Sequence, residues 1–233
     1  MKIEVITLNE KDTMQAQRLG ADRVELVSAM QEGGLTPSFG TIKRVLEHAH
    51  IPVQIMVRPH SFGFVYDESD WLIMKEDISM IRELGGNRIV IGAITKDGDI
   101  DEDLLDKIIS HAPDFDITFH RAFDHVRSPL DAYRTLTKYK KHIKRVLTSG
   151  CAPTAIEGIS TLKKLVELSK ELEGPTILVG SGVNAQNVAD LHQHINATEY
   201  HIGSGARVDR DFSKPLDEEQ MSIIRSLKKN KTI

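Results

Sequence analysis

The stretch LGADRV at residues 19–24 decides the fold, because it returns in altered form as LGGNRI at residues 84–89. In both copies a leucine ends a stretch with helical periodicity, a glycine follows it, and an arginine leads into branched apolar residues. A glycine at this place is typical of the left-handed cap that ends a helix. Two copies of a joint between a helix and a strand indicate a chain built from repeated βα units.

Short runs of β-branched and other apolar residues recur along the chain on both sides of these joints. Eight of them are predicted to be strands, namely 3–6, 23–26, 53–57, 88–91, 117–120, 145–148, 176–179 and 199–202. Amphipathic stretches lie between the strands, for example 71–84, 156–172 and 186–195. Such strict alternation predicts parallel strands joined by right-handed crossovers.

A closed barrel and an open, doubly wound sheet are both compatible with this alternation. The even spacing of the strands and their number favour the barrel. The glycine-rich fingerprint that a dinucleotide-binding sheet carries after its first strand is missing from this sequence. The sequence therefore predicts an α/β fold, a single (β/α)8 TIM barrel that forms one domain over residues 1–233.

The composition restricts the partners and the metal chemistry. A net charge of -4 argues against a nucleic-acid or membrane partner, and no apolar run is long enough for a membrane span, so we expect a cytoplasmic protein. The single cysteine, Cys151, cannot supply the paired thiolates of a soft-metal site. We expect a small-molecule or metal-ion ligand, and the loop aromatics Phe62, Phe64 and Trp71 favour a homo-oligomer.

In a (β/α)8 barrel the site forms at the carboxyl ends of the strands, which directs attention to the polar residues there. Glu25 on the second strand is a candidate acid, base or ligand, or the partner in an ion pair inside the barrel. Arg58 follows the third strand, where a guanidinium can clamp an anion. The alternative for Arg58 is a salt bridge to Glu25 or Glu4.

The fifth strand carries the densest polar cluster, TFHRAFD at residues 118–124. His120 is the first candidate for a functional residue, since a histidine here can transfer a proton near neutral pH or bind a metal. Asp124 is a further catalytic candidate, and Arg121 is a candidate for substrate binding. Ser149, after the sixth strand, adds a hydroxyl at the same end of the barrel.

The last two strands are each followed by a Gly-Ser-Gly sequence, at residues 180–182 and 203–205. Phosphate-binding barrels place the phosphate on backbone N–H groups of these two loops. Gly180, Gly182, Gly203 and Ser204 are therefore candidates for an anion-binding cradle, while two tight turns are the alternative.

His201 lies on the last strand, just before the second of these loops. Glu25, His120 and His201 could therefore meet across the mouth of the barrel, either as a metal site or as acid and base groups around a carbonyl substrate. The metal would be copper or another divalent ion.

Several phrases resemble the CutC, or copper homeostasis, family. They are ADRVEL at 21–26, EGGLTPS at 32–38, VRP at 57–59, TFHRAFD at 118–124 and RVLTSG at 145–150. The resemblance spans nearly the whole chain and implies a (β/α)8 barrel, a cytoplasmic location, frequent oligomerisation and a link to copper handling. Members often carry cysteine where this chain has Val27 and Ile6, so the resemblance brings no thiolate ligands.

Three functions remain open at this point. The resemblance implies copper handling, with His120, His201 and Glu25 as the best available ligands. The residues themselves favour an enzyme of the lyase or isomerase type that acts by acid/base chemistry on a small phosphorylated or carboxylated metabolite. A scaffold without catalytic activity is the third alternative.

Overall fold

The computed structural model describes residues 1–229, and within them the eight predicted strands close into one barrel. Each strand pairs in parallel with the next, and β8 pairs with β1. The strands are β1 (Lys2–Thr7), β2 (Arg23–Leu26), β3 (Val53–Met56), β4 (Arg88–Ile91), β5 (Asp116–Phe119), β6 (Ile143–Thr148), β7 (Thr176–Val179) and β8 (Glu199–Ile202). The predicted TIM barrel is confirmed, and the strand bounds differ from the predicted ones by at most two residues.

A helix follows each strand and covers the outside of the barrel. The helices are α1 (Glu10–Arg18), α2 (Phe39–His48), α3 (Glu68–Glu83), α4 (Glu102–His111), α5 (Pro129–Thr137), α6 (Ile159–Glu171), α7 (Val188–Ile195) and α8 (Glu218–Lys229). Within residues 1–229, no helix combines the length and the apolar character that crossing a membrane requires.

Local chemistry explains where the helices depart from the predicted bounds. α3 begins three residues early because Asp67 and Asp70 form a reciprocal capping box at its start. α6 begins later than predicted, since the residues before Gly158 form turns at the mouth of the barrel.

Both copies of the repeated helix-to-strand joint, at residues 19–24 and 84–89, end a helix as the sequence predicts. Leu19 caps α1 and Leu84 caps α3, and the glycines that follow have positive φ angles of 92° at Gly20 and 83° at Gly85. Both joints lie at the amino ends of the strands, away from the mouth.

The interior of the barrel contains paired charges at its lower end. Arg23 donates to Glu4 and, at 2.7 Å, to Glu199. Arg145 donates to Asp116 on the neighbouring strand. Removing such groups from water is costly unless they are paired, so loss of one partner would leave an uncompensated charge inside the barrel.

The connection from β8 to α8 is long and bends back over the mouth. It contains two short 3-10 helices, Ser204–Ala206 and Val208–Arg210. Buried Arg207 fixes it by donating to Asp12 at 2.6 Å and to the carbonyl oxygens of Ile6 and Lys214. This connection places Ser204, Arg210 and Phe212 above the barrel.

Candidate functional site

A cavity of about 330 Å³ opens at the carboxyl ends of the strands. Eight of the predicted residues line it, among them Glu25, Arg58, His120 and His201. This end of the barrel collects them because alternate side chains of each parallel strand point inward and the strands all end at the same rim. The volume lies at the lower end of the roughly 300–1,000 Å³ typical of small-molecule pockets.

His201 lies between two buried carboxylates. Its Nδ1 is 2.7 Å from Glu4 Oε1, and its Nε2 is 3.7 Å from Glu25 Oε2. Glu4 accepts a second hydrogen bond, from Arg23 Nε, whereas Glu25 Oε1 is buried without a partner. The imidazole is thus fixed from below by Glu4 and presents its other nitrogen toward Glu25.

The pKa values of these groups differ because their neighbours differ. Burial raises the pKa of Glu25 to about 7, with His201 opposing and Glu4 adding to the rise. Burial also acts on Glu4, but Arg23 and His201 outweigh it and lower the Glu4 pKa to about 2. Burial disfavours the charged form of His201, yet Glu25 and Glu4 overcome this and raise its pKa. A glutamate that titrates near neutral pH can both accept and return a proton.

His120 lies on the other side of the cavity in a neutral form. Its Nδ1 accepts a hydrogen bond from the Ala122 backbone N–H at 3.1 Å, so Nε2 carries the proton, and this buried donor has no partner. Burial and the nearby Arg58 guanidinium lower the His120 pKa to about 3. Gly92 makes room for the ring, because a Cβ there would lie 2.4 Å from Nδ1. His120 is therefore arranged to donate a hydrogen bond into the cavity.

Arg58 is buried, with 6% of its surface exposed. Its Nη1 donates to the carbonyl oxygens of Glu32 and Gly34, and its guanidinium lies 4.6 Å from the centre of the Phe64 ring. Its Nε has no hydrogen-bond partner. The salt bridge to Glu25 or Glu4 considered above does not form, and no ion pair of Arg58 occurs within residues 1–229; Arg23 takes Glu4 instead. A buried cation without a carboxylate is a strong point of attraction for an anionic ligand.

Asp124 and Ser149 form a support behind the cavity instead of lining it. The Asp124 carboxylate accepts hydrogen bonds from the Thr148 hydroxyl, the Ser149 and Cys151 backbone N–H groups, and Arg121 Nε at 2.7 Å. Arg121 also donates to Ser149 Oγ at 3.2 Å and lines the cavity. This geometry gives Asp124 a role in positioning Arg121.

The glycine loops contribute unequally to the cavity. Gly182, Gly203 and Ser204 line it, as predicted for an anion-binding cradle. Gly180 does not line it; the absence of a side chain there makes room for Leu147, whose Cδ1 lies 2.6 Å from where a Cβ would be. Gly180 therefore has a packing role. The anion-binding cradle of Gly182, Gly203 and Ser204 stays a prediction.

The thiol and the loop aromatics differ in what they contact. Burial, with Asp124 nearby, raises the pKa of Cys151 to about 11, so the thiol keeps its proton at neutral pH. Trp71 is buried and Phe64 packs in the cavity wall, which leaves Phe62, 92% exposed, as the aromatic open to contact with another molecule.

The predicted metal set is only partly brought together. The side-chain ligand atoms of Glu4, Glu25 and His201 all lie within 4.8 Å of one another, and within residues 1–229 His120 belongs to no such group. Glu4 thus takes the place predicted for His120. The signal for Glu4 was its place on β1, two residues before Ile6, which puts both side chains inside the barrel. Arg210 on the rim was also missed.

Comparison with known proteins gives one consistent answer. The model of the CutC family matches residues 1–206. A family protein CutC of Salmonella typhimurium is 41% identical over 189 residues, which are 81% of this chain and 74% of that protein. The human copper homeostasis protein cutC homolog is 37% identical over 225 residues, which are 97% of this chain and 80% of that protein.

Solved structures agree. The crystal structure of a CutC protein from Streptococcus agalactiae matches with a TM-score of 0.80 and 30% identity, and covers 87% of this chain and 98% of that one. Phosphoribosyl anthranilate isomerase from Thermococcus kodakaraensis matches with a TM-score of 0.66 at 12% identity, covering 98% and 99% of the two chains, which shows a shared fold alone. The chain therefore belongs to the CutC family.

Proposed function

We propose that this protein is an enzyme that acts by acid–base chemistry on a small anionic metabolite, phosphorylated or carboxylated. The observation that carries the proposal is Arg58, a buried cation that lines the cavity with no carboxylate partner in residues 1–229. Glu25 Oε1 and His120 Nε2 are unpaired polar atoms of the same cavity. A ligand with a negative charge and an oxygen acceptor would satisfy Arg58 and His120, and a proton that the ligand can release would meet Glu25 Oε1.

Each side chain then has a distinct task. Arg58 binds the anionic group, aided by the loops that contain Gly182 and Ser204. His120 donates through Nε2–H to a carbonyl oxygen of the substrate, as a neutral imidazole. Glu25, with a pKa of about 7, removes a proton from the carbon next to that carbonyl.

The negative charge that develops on the carbonyl oxygen is stabilised by His120. Return of the proton to a neighbouring atom gives an isomerase. If the carbon next to the deprotonated one carries a leaving group, that group departs with its bonding electrons as a C=C bond forms and the carbonyl returns, which gives a lyase. Glu4 positions His201, and the raised pKa of His201 favours its charged form beside Glu25.

Copper handling is the second candidate function, and the cluster of Glu4, Glu25 and His201 favours it. A human relative carries a copper homeostasis name. However, two carboxylates and one imidazole suit a borderline divalent ion and not Cu(I), which prefers thiolate and thioether ligands. Glu4 is also engaged by Arg23 and His201, so a cation would compete with both. The donor set therefore fits Cu(I) poorly.

The proposal includes a cytoplasmic location and self-association. A lone reduced cysteine is typical of the cytosol. The exposed side chain of Phe62 offers an apolar contact for a second copy of the chain.

The pKa of Glu25 predicts how stability depends on pH. The folded protein keeps this proton up to about pH 7, whereas an unfolded glutamate releases it near 4.5, so the free energy of unfolding falls as pH rises across this window. We expect Glu25→Gln to remove this loss and to be more stable than wild type at pH 8 by about 3 kcal/mol. At pH 4 the two proteins should differ little.

Urea denaturation at pH 4, 6 and 8 measures this difference. Glu76→Gln, a matched substitution of an exposed glutamate on α3, is the control and should track wild type throughout. Parallel curves for wild type and Glu25→Gln would contradict the assignment.

A ligand screen tests the proposed activity. Thermal shifts with a collection of small carboxylates and phosphate esters should identify anions that stabilise wild type but lose at least about tenfold in affinity in Arg58→Met, because that variant lacks the cation. For a ligand that is turned over, Glu25→Gln should lower kcat by roughly 100-fold or more while binding persists. Arg18→Met, at an exposed ion pair with Glu218, is the control. Turnover that survives in Glu25→Gln would refute its role.

Metal titration separates the two candidate functions. Cu(I), Cu(II) and Zn(II) titrations of untagged protein should show no tight stoichiometric site, because Arg23 and His201 already engage Glu4. Cys151→Ser should behave as wild type. Stoichiometric copper binding that disappears in His201→Ala would favour copper handling over the enzyme.

A further inference from the structure

The walls of the cavity between its polar groups are apolar. Ile6, Val27, Met56 and Val90 form a hydrophobic cluster of their own, separate from the main core that lies between barrel and helices. Three of them, Ile6, Val27 and Met56, line the cavity, and they are 6%, 1% and 5% exposed. Phe212 packs against the same cluster from the β8–α8 connection. The cavity therefore has separate polar groups, such as Arg58, Glu25 and His120, with a hydrophobic wall between them.

This arrangement restricts the middle part of a bound molecule. Aliphatic and thioether side chains offer neither donors nor strong acceptors to a hydroxyl group. A hydroxyl placed against Val27 or Met56 would lose its water without gaining a partner, which costs free energy. Carbon surface placed there would instead make binding more favourable, because apolar surface would leave water.

We propose that the substrate joins one anionic group to an apolar body, such as an alicyclic or aromatic carboxylate or phosphate ester, in place of a polyhydroxylated sugar phosphate. This inference rests on the proposed function and narrows its substrate class. The anionic group pairs with Arg58, and the body packs against Ile6, Val27 and Met56. A six-membered ring with one anionic substituent suits a cavity of about 330 Å³.

Matched probes test the inference by calorimetry. Cyclohexanecarboxylate is compared with quinate, which has the same ring with added hydroxyls, and cyclohexyl phosphate with inositol phosphate. In the pair whose head group binds, we expect the apolar member to bind at least about tenfold more tightly, because the hydroxyls of the other lack partners. Its binding should also show a negative heat-capacity change from burial of carbon surface.

A pair of valine substitutions locates the effect. Val27→Thr adds a hydroxyl to the cavity wall without changing the shape of the side chain, and it should narrow the difference between apolar and hydroxylated probes. Val24→Thr makes the same change three residues earlier, on β2, but Val24 belongs to the main core outside the cavity. It should leave the difference unchanged, and circular dichroism with thermal melts checks that both variants fold.

The outcomes separate this inference from the proposed function. If hydroxylated probes bind as tightly as apolar ones and Arg58→Met weakens both, the apolar body is refuted and the anionic substrate stands. If cyclohexanecarboxamide, the neutral analogue, binds as tightly as cyclohexanecarboxylate, the apolar body stands and the proposed anion fails. If none of the probes binds, the inference is overturned.

Discussion

Charged groups inside a closed parallel barrel must find their partners there, because the interior is sealed from water. In the lower half of the site, Glu4 is the partner that the other charged groups share. Its two oxygens accept hydrogen bonds from Arg23 and His201, and Arg23 in turn binds Glu199. The orientation of His201 at the mouth is thus set by Glu4 below it, while Glu25 and Glu4 together raise its pKa, so the barrel interior and the site form one network.

Arg58 differs from these paired charges because it has no carboxylate partner within residues 1–229, and the proposed function rests on this difference. Its buried guanidinium is stabilised by two carbonyl oxygens and the face of Phe64, with no negative charge from residues 1–229. Across the same cavity, His120 is neutral and Glu25 titrates at about 7. An electrophilic donor and a base of neutral pKa beside an unmatched cation form a set that an anionic substrate would complete.

The sequence predicted the barrel and the main residues of the cavity because both follow from local patterns. Strand periodicity and the rule that all parallel strands end at one rim were enough to bring Glu25, Arg58, His120 and His201 together. Contacts between distant segments could not be predicted in this way. Glu4 replaced His120 in the cluster of candidate ligands, Asp124 proved to support Arg121, and Gly180 makes room for Leu147. The first and the last depend on which side chains from different strands meet at one height in the barrel. Asp124 and Arg121 are only three residues apart, and the role of Asp124 depends on its contacts with Thr148 and Ser149.

The most direct test of the central claim is a crystal structure of the protein grown with cyclohexanecarboxylate and, separately, with copper. The account predicts a carboxylate bonded to Arg58 Nε and within reach of His120 Nε2, with the ring against Val27 and Met56 and the Glu4–Arg23 pair intact. A metal ion held by Glu4, Glu25 and His201, with no anion at Arg58, would contradict it.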